Sequence, residues 1–296
     1  MKILVTGANG FLGYYLIQQL LHLNEMVIAT GKGECRLPSR RSENLIYESM
    51  DFTDPFAVHD LFEKIKPDVV VHAGAMSKVD DCEQNQWPCY VTNVEGTLNL
   101  LVNAEENKSH FIFVSSDFVF DGLKPPYTET SELNPVNFYG KTKRDAEEAV
   151  KEYPFDWTIV RTSLVYGRSF SNSSNILSVV KHKLEKQENY SVFDDQVRTA
   201  TYVEDLASAI KTIIEIKAKG IFHVSGKNSL TPYEMACKTA EYLKLDKSLI
   251  KKITTADWQQ VAKRPVNTVF DLTKARKFLR YEPTSFDEGL KKTFTQ

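Results

Sequence analysis

The opening thirteen residues, MKILVTGANGFLG, constrain the fold more than any other stretch of this chain. Apolar and β-branched residues from Lys2 to Thr6 lead directly into glycines at positions 7, 10 and 13, and FLGYYLIQQLLHL follows with apolar residues at helical spacing. Strand, glycine turn and helix in that order form a dinucleotide-binding unit. Gly7 suits the tight turn, Gly10 lets backbone approach a pyrophosphate, and Gly13 lets the helix pack closely on the strand. A glycine triplet alone would also fit an ordinary strand-to-helix turn, and its placement in the first unit of the chain favours the dinucleotide.

The alternation then repeats. MVIAT, NLIYE, DVVVHAG, HFIFVSS and WTIVRTS read as strands, separated by helical patterns in DPFAVHDLFEKI, VTNVEGTLNLLVNAEEN and GKTKRDAEEAVKEY. Continuous apolar strands between amphipathic helices predict an α/β fold: a Rossmann-type doubly wound parallel sheet covered on both faces. After Ser163 the regularity weakens into the polar stretch GRSFSNSSN and a charged helix near 175–188, and VEDLASAIKTIIEI with GIFHVS reads as a return to the sheet. The predicted organisation is a nucleotide-binding domain over 1–165, with 197–224 returning to it. Residues 166–196 and 225–296 make a smaller C-terminal α/β lobe for substrate.

Composition narrows the function. The 37 basic and 39 acidic residues nearly cancel, which leaves no electrostatic footprint for nucleic acid. The start lacks the succession of a signal peptide and no apolar run is long enough to span a bilayer, so a cytoplasmic protein with no membrane partner is expected. The four cysteines, at positions 35, 82, 89 and 237, have the spacing of reduced thiols, and the acidic cluster Asp80, Asp81 and Glu83 has no metal-ligand spacing.

The second predicted strand ends in IATGKGECR, so Thr30 occupies the place where a carboxylate would hold the adenosine ribose, with Lys32 and Arg36 close behind. A carboxylate there would repel a 2′-phosphate and cations attract it, which predicts NADP(H) in preference to NAD(H). Asp51 is placed to accept from an adenine amino group, while Asp54 suits a helix N-cap.

In NFYGKTK, Tyr139 and Lys143 lie four residues apart on one helix face. An adjacent ammonium favours a phenolate, so the pair is expected to lower the tyrosine toward the working range of a general acid. Ser116 ends the strand HFIFVSS, at the carboxyl end of a parallel strand where side chains point into the crevice that binds ligands, and can donate to a substrate carbonyl. The alternatives are a surface pair for Tyr139 and Lys143 and a turn cap for Ser116. His72 reads as a satisfied crevice histidine, and Asn93 as a helix cap or a support for the site.

The GxxGxxG spacing, SSDFVFDG, YGKTK, RTSLVYG, GIFHVSG and KRPVNTVFDLTK, in this order, resemble the extended short-chain dehydrogenases and, within them, the dTDP-4-dehydrorhamnose reductase family. The resemblance implies reduction of the C4 ketone of a nucleotide-linked 4-keto-6-deoxysugar, with Ser116, Tyr139 and Lys143 catalytic. It assigns the cofactor to Gly7, Asn9, Gly10, Phe11, Leu12, Gly13, Lys32, Arg36, Asp51, Phe52, Ala73, Gly74 and Ala75 together with Tyr139 and Lys143. Substrate contacts fall to Ser77, Ser116, Asp117, Phe118, Arg198 and Arg264, the two arginines as ligands of the diphosphate. Dehydratases of the superfamily carry Asp-Glu after the catalytic hydroxyl, whereas here Asp117 is followed by Phe118. Phe118 also replaces a frequent tyrosine of the reductases, and Leu164 a frequent tryptophan. The superfamily's nucleotide-sugar epimerases are a further alternative, and a homodimer is compatible with the class. SSDFVFDGLKPPYTE, YGKTKRDAEEAV and FHVSGKNSLTPYEMA also resemble the regulatory β subunit of methionine adenosyltransferase, an NADP-binding relative that acts on a partner protein.

Overall fold

A computed structural model describes residues 1–37, 42–170 and 174–295; part of the predicted polar loop, 171–173, lies outside them. In chain order the elements are β1 (Lys2–Thr6), α1 (Phe11–Leu21), β2 (Met26–Gly31), β3 (Leu45–Ser49), α2 (Pro55–Ile65), β4 (Val69–His72), α3 (Val79–Gln84) and α4 (Gln86–Tyr90). A π-helical turn, Val91–Glu95, leads into α5 (Gly96–Glu106), followed by β5 (His110–Ser116), α6 (Phe138–Lys151), β6 (Trp157–Thr162) and β7 (Val165–Tyr166). The remainder comprises α7 (Ile176–Glu185), β8 (Tyr190–Phe193), β9 (Thr201–Tyr202), α8 (Val203–Ile216), β10 (Gly220–His223), α9 (Pro232–Leu243), β11 (Ile250–Ile253), α10 (Thr273–Leu279) and α11 (Phe286–Phe294).

Seven strands form one parallel sheet in the order β10-β6-β5-β4-β1-β2-β3. Strands β1, β4 and β5 are apolar on both faces because helices cover both. Ile3, Val5, Val71 and Ile112 join α1 and α8 in one core, and Leu4, Val70, Phe111 and Phe113 join α2, α5 and α6 in the other. Strand order reverses at β1, which pairs with β2 on one side and β4 on the other. The crevice at the carboxyl ends of these strands is where such sheets bind ligands.

Outside the sheet, α7, α9 and the two-stranded pair β8–β11 share a small core around Val180, Leu184, Ala236 and Ile250. The segment 262–268 runs from this region across the carboxyl end of the sheet. It is tied down where Asn137 Nδ2 donates to Lys263 O at 2.8 Å and where Val197 N donates to Val266 O at 2.7 Å.

Candidate active site

The glycine turn is shaped by close backbone approach. Gly7 has φ +72°, and a Cβ there would come within 2.7 Å of Gly74 N. A Cβ at Gly13 would run into Gly7 O and the Ala8 backbone, so α1 could not begin so close to β1 with any larger residue. Gly10, the N-cap, caps α1 with no side chain, and the first turn carries no acidic residue. The unshared N–H groups of Phe11 and Leu12 and the positive end of the helix therefore suit a phosphate, and the donor set fits a dinucleotide.

Asn9 ties this turn to the end of β2. Its Nδ2 donates to Glu34 O at 3.0 Å and to the Tyr47 hydroxyl at 2.8 Å, and its Oδ1 accepts from Arg36 N at 2.9 Å. Tyr47 in turn donates to the carbonyls of Gly31 and Gly33. Tyr47 went unrecognised in the sequence because the alternation of NLIYE shows a strand and not the loop that its side chain reaches. Lys32 and Asp51, both expected at the adenosine end, pair with each other at 2.7 Å. This ion pair and two bonds from Thr53 hold the Asp51 carboxyl below its ordinary range against the opposing effect of burial. Arg36 is exposed and borders a small cavity with Asn9, Gly10 and Tyr14.

Phe52 has a packing role visible only in three dimensions. Its ring lies edge-on to His72, and a Cβ at Gly74 or Gly96 would strike it. His72 is buried between the Thr6 hydroxyl on Nδ1, 2.6 Å, and the Thr97 hydroxyl on Nε2, 3.1 Å. Burial, reinforced by the Lys143 charge, lowers it to about 3, so it is neutral. The loop after it carries half-buried Ala73 and exposed Ala75 and Ser77. Buried Asn93 fixes this loop: its Oδ1 accepts from Met76 N, and its Nδ2 donates to Met76 O and to Thr142 Oγ1 on α6.

Ser116, Tyr139 and Lys143 converge at the carboxyl end of β5. Ser116 Oγ caps a short 3₁₀ turn, Asp117–Val119, by accepting from Phe118 N at 3.2 Å, and donates to Asp117 Oδ1 at 3.1 Å. The turn-cap alternative is therefore what the structure shows for Ser116, and a hydroxyl oxygen that caps a turn still has room for a further partner. Helix α6 starts where Asn137 accepts from Gly140 N at 2.8 Å and where Glu83 accepts from Phe138 N at 2.9 Å. Gly140 packs directly on the Phe118 carbonyl, so no larger residue would let α6 bring Tyr139 to Ser116. The Asn-x-x-Gly pattern in NFYG is the sequence signal for this anchored helix start.

The electrostatics differ from the expectation of a lowered phenol. Burial raises the Tyr139 hydroxyl well above its ordinary value, with the nearby Ser116 hydroxyl opposing and the Asp117 charge reinforcing. Lys143, 2 % exposed, has its Nζ 3.9 Å over the Phe113 ring. Burial lowers it to about 7, opposed by Glu147 and Cys89. Desolvation thus outweighs the ammonium's pull, and the tyrosine holds its proton through neutral pH.

Asp117, Arg198 and Arg264, expected on substrate, are each bonded within the protein. Asp117 Oδ2 accepts from Ser163 Oγ at 2.8 Å and Thr268 Oγ1 at 2.5 Å, with Arg198 Nε at 3.9 Å. The Arg198 guanidinium donates to Val197 O and Pro265 O at 2.8 and 2.7 Å and lies 5.4 Å from the Phe118 ring centre. Phe118 in turn meets Tyr139 edge-on at 6.1 Å. Arg264 makes a two-pronged ion pair with Asp80. Residue spacing could not show these pairings, because the partners are brought together by segment 262–268. Among the described residues no group of three or more His, Cys, Asp or Glu side chains could hold a metal, and no helix is long and apolar enough to cross a membrane.

A profile of the RmlD substrate binding domain matches residues 1–296. The chain is 32% identical over 298 residues to methionine adenosyltransferase 2 subunit beta of Mus musculus, covering 99% of this chain and 86% of that protein. It is 29% identical over 302 residues to dTDP-4-dehydrorhamnose reductase of Aggregatibacter actinomycetemcomitans, covering 98% and 97%. The crystal structure of dTDP-4-dehydrorhamnose reductase from Bacillus anthracis, in complex with NADP, superposes with a TM-score of 0.86 at 28% identity, covering 99% and 98% of the two chains. With a glycine cradle fitted to a dinucleotide and a profile match spanning its whole length, the chain belongs to the RmlD substrate-binding-domain family of Rossmann-fold proteins, alongside the dTDP-4-dehydrorhamnose reductases.

Proposed function

We propose that this protein is an NADPH-dependent reductase of the C4 ketone of a nucleotide-linked 4-keto-6-deoxysugar. The observation that carries the reading is the convergence of Ser116 at the carboxyl end of β5 with Tyr139 and Lys143 of α6, Tyr139 meeting Phe118 edge-on and Lys143 Nζ lying over the Phe113 ring of β5. The bound nicotinamide would supply a hydride to the carbonyl carbon. Ser116 holds the carbonyl oxygen and polarises it; Tyr139, protonated at neutral pH, delivers its proton to that oxygen. Lys143 supports the charge left on the phenol and, when the cofactor is bound, holds the nicotinamide ribose. The glycine turn with Phe11 and Leu12 holds the pyrophosphate, and exposed Lys32 and Arg36 favour a 2′-phosphate. Comparable dissociation constants for NADPH and NADH would remove that preference. Residues 166–196 and 225–296 form the substrate lobe on this reading.

The test is NADPH oxidation followed by absorbance against a panel of dTDP-, GDP- and UDP-linked keto-sugars. Tyr139→Phe is expected to lower kcat/KM by about 10²–10⁴-fold with NADPH affinity retained. Near-wild-type turnover by that variant would eliminate the mechanism.

A second reading is favoured by the inward pairing of both arginines expected on a substrate diphosphate. It makes the chain an NADP-binding regulatory subunit like methionine adenosyltransferase 2 subunit beta, its similar relative. Stable co-purification with the synthetase, together with no turnover on the sugar panel, would select it.

A further inference from the structure

Phe118 is in contact with both elements that build the site, yet the proposed chemistry gives it no task. It is half-buried in the 3₁₀ turn that leaves β5, and its N–H donates to Ser116 Oγ at 3.2 Å. Its carbonyl is the surface on which Gly140 packs, and Gly140 directly follows Tyr139 in α6. Its ring meets the Tyr139 ring edge-on, with 6.1 Å between centres and 75° between planes, inside the range where aromatic edges and faces attract.

The same ring is held by a cation. The Arg198 guanidinium lies over it, 5.4 Å from the ring centre, within reach of a cation–π attraction. Arg198 is 4 % exposed, and it is fixed in turn by Val197 O and Pro265 O, which accept from Nη1 and Nη2 at 2.8 and 2.7 Å. A planar fork bonded to two carbonyls has little freedom to leave the ring. Contacts thus run without a break from segment 262–268 through Arg198 and Phe118 to Tyr139.

We propose that Phe118, held by Arg198, is a positioning residue for the reduction: it fixes the Tyr139 ring so that the phenol faces a carbonyl oxygen bound at Ser116. This rests on the reading of Tyr139 as the proton donor. Tyr139 is the second residue of α6, where the Asn137 cap sets the backbone but leaves the side-chain torsions free. An edge-on ring contact restrains those torsions without occupying the hydroxyl, which stays available to the substrate. Proton transfer requires that hydroxyl within hydrogen-bond reach of its acceptor, and a small misplacement slows the chemical step more than it weakens binding.

The test reads the Tyr139 ring directly, by NMR relaxation of the full-length protein carrying ¹³C-labelled tyrosine, with Tyr139→Phe identifying the signals. Phe118→Leu removes the aromatic contact and is expected to shift the Tyr139 ring signals and increase their motion, whereas Phe118→Tyr keeps the ring and should keep both. On an active sugar, Phe118→Leu should lower kcat by up to about 10²-fold, with KM and NADPH affinity near the wild type, and Phe118→Tyr should restore most of the kcat. If Phe118→Leu does not fold, Arg198→Lys decides, since it keeps the charge and loses the planar fork. Its Tyr139 ring should also gain motion. Unchanged Tyr139 ring motion in the folded variant would overturn the proposal. So would a raised KM with kcat intact in Phe118→Leu, which would make Phe118 a substrate contact. Absence of turnover on the whole sugar panel would instead defeat the reductase reading, and the relaxation measurement would still decide whether Phe118 holds Tyr139.

Discussion

Strand β5 ends between two buried carboxylate–arginine pairs, and the two are built differently. Glu147 and Arg161 meet at 2.6 Å, share further bonds with Ser115 and His223, and join one helix to two neighbouring strands of the sheet. Asp117 and Arg198 stand 3.9 Å apart, and each is satisfied mostly by other groups: hydroxyls of Ser163 and Thr268 for the acid, backbone carbonyls for the base. The first pair is a direct ionic contact inside the sheet-and-helix core. The second is a distributed network that stitches segment 262–268 onto the end of β5. A direct pair in a dry core fails badly when one partner is lost, whereas a network of hydroxyls can rearrange.

The contrast is tested most severely by Glu147→Gln, which leaves Arg161 without its carboxylate and should cost about 3–5 kcal/mol in urea-induced unfolding. A loss below that of Asp117→Asn would reverse the ranking of the two sites.

Acid should weaken the first cluster through His223, and the sheet through two further buried histidines. His223 Nε2 accepts from Arg161 Nη1 at 3.3 Å while Nδ1 donates to Tyr127 O at 3.1 Å, which fixes a neutral tautomer. Burial and then the Arg161 charge push it well below its ordinary value; burial also lowers His110 to about 4, and His72 to about 3. The unfolded chain binds these protons from near pH 6.5 downward and the folded chain does not. Stability is therefore complete above that value and falls as pH drops through it, by about 2 kcal/mol for each histidine at pH 5. Chemical denaturation between pH 7.5 and 5 checks this, and a flat profile contradicts it.

In the second network, Asp117→Asn should destabilise by about 1–3 kcal/mol, since Ser163 and Thr268 lose a charged acceptor but can turn to other partners. Thr268→Val, the mildest change, should cost about 1 kcal/mol and leave NADPH affinity unaltered, as measured by fluorescence titration. A drop in NADPH affinity there would show that segment 262–268 supports the cofactor half as well.

Much of this architecture is legible in residue order. All seven strands of the main sheet coincide with the apolar runs read as strands; β1, β2, β4, β5 and β6 are apolar nearly throughout because both of their faces are buried, whereas the edge strand β3 is only half-buried. The π-helical turn at Val91–Glu95 and the pairs β7–β9 and β8–β11 were not legible, being too short for a periodic signal. At the site, Tyr139 and Lys143 share a helix face by local geometry alone. The direction of the Tyr139 shift did not follow from that spacing, because burial is decided by Phe118, Ser116 and the rest of the fold.

Sequence by itself determined the glycine cradle, the parallel sheet and the placing of Ser116, Tyr139 and Lys143 on elements that end in one crevice. Each of these depends on steric or periodic rules acting over a few residues. Tertiary structure alone decided that Glu147 pairs with Arg161, that Phe52 fills the space left by Gly74 and Gly96, and that Arg198 and Arg264 turn inward to Asp117, Asp80 and backbone carbonyls. The ion-paired partners among them lie between 14 and 184 residues apart. Packing and charge compensation choose among such partners only once the chain has brought them into one low-dielectric place.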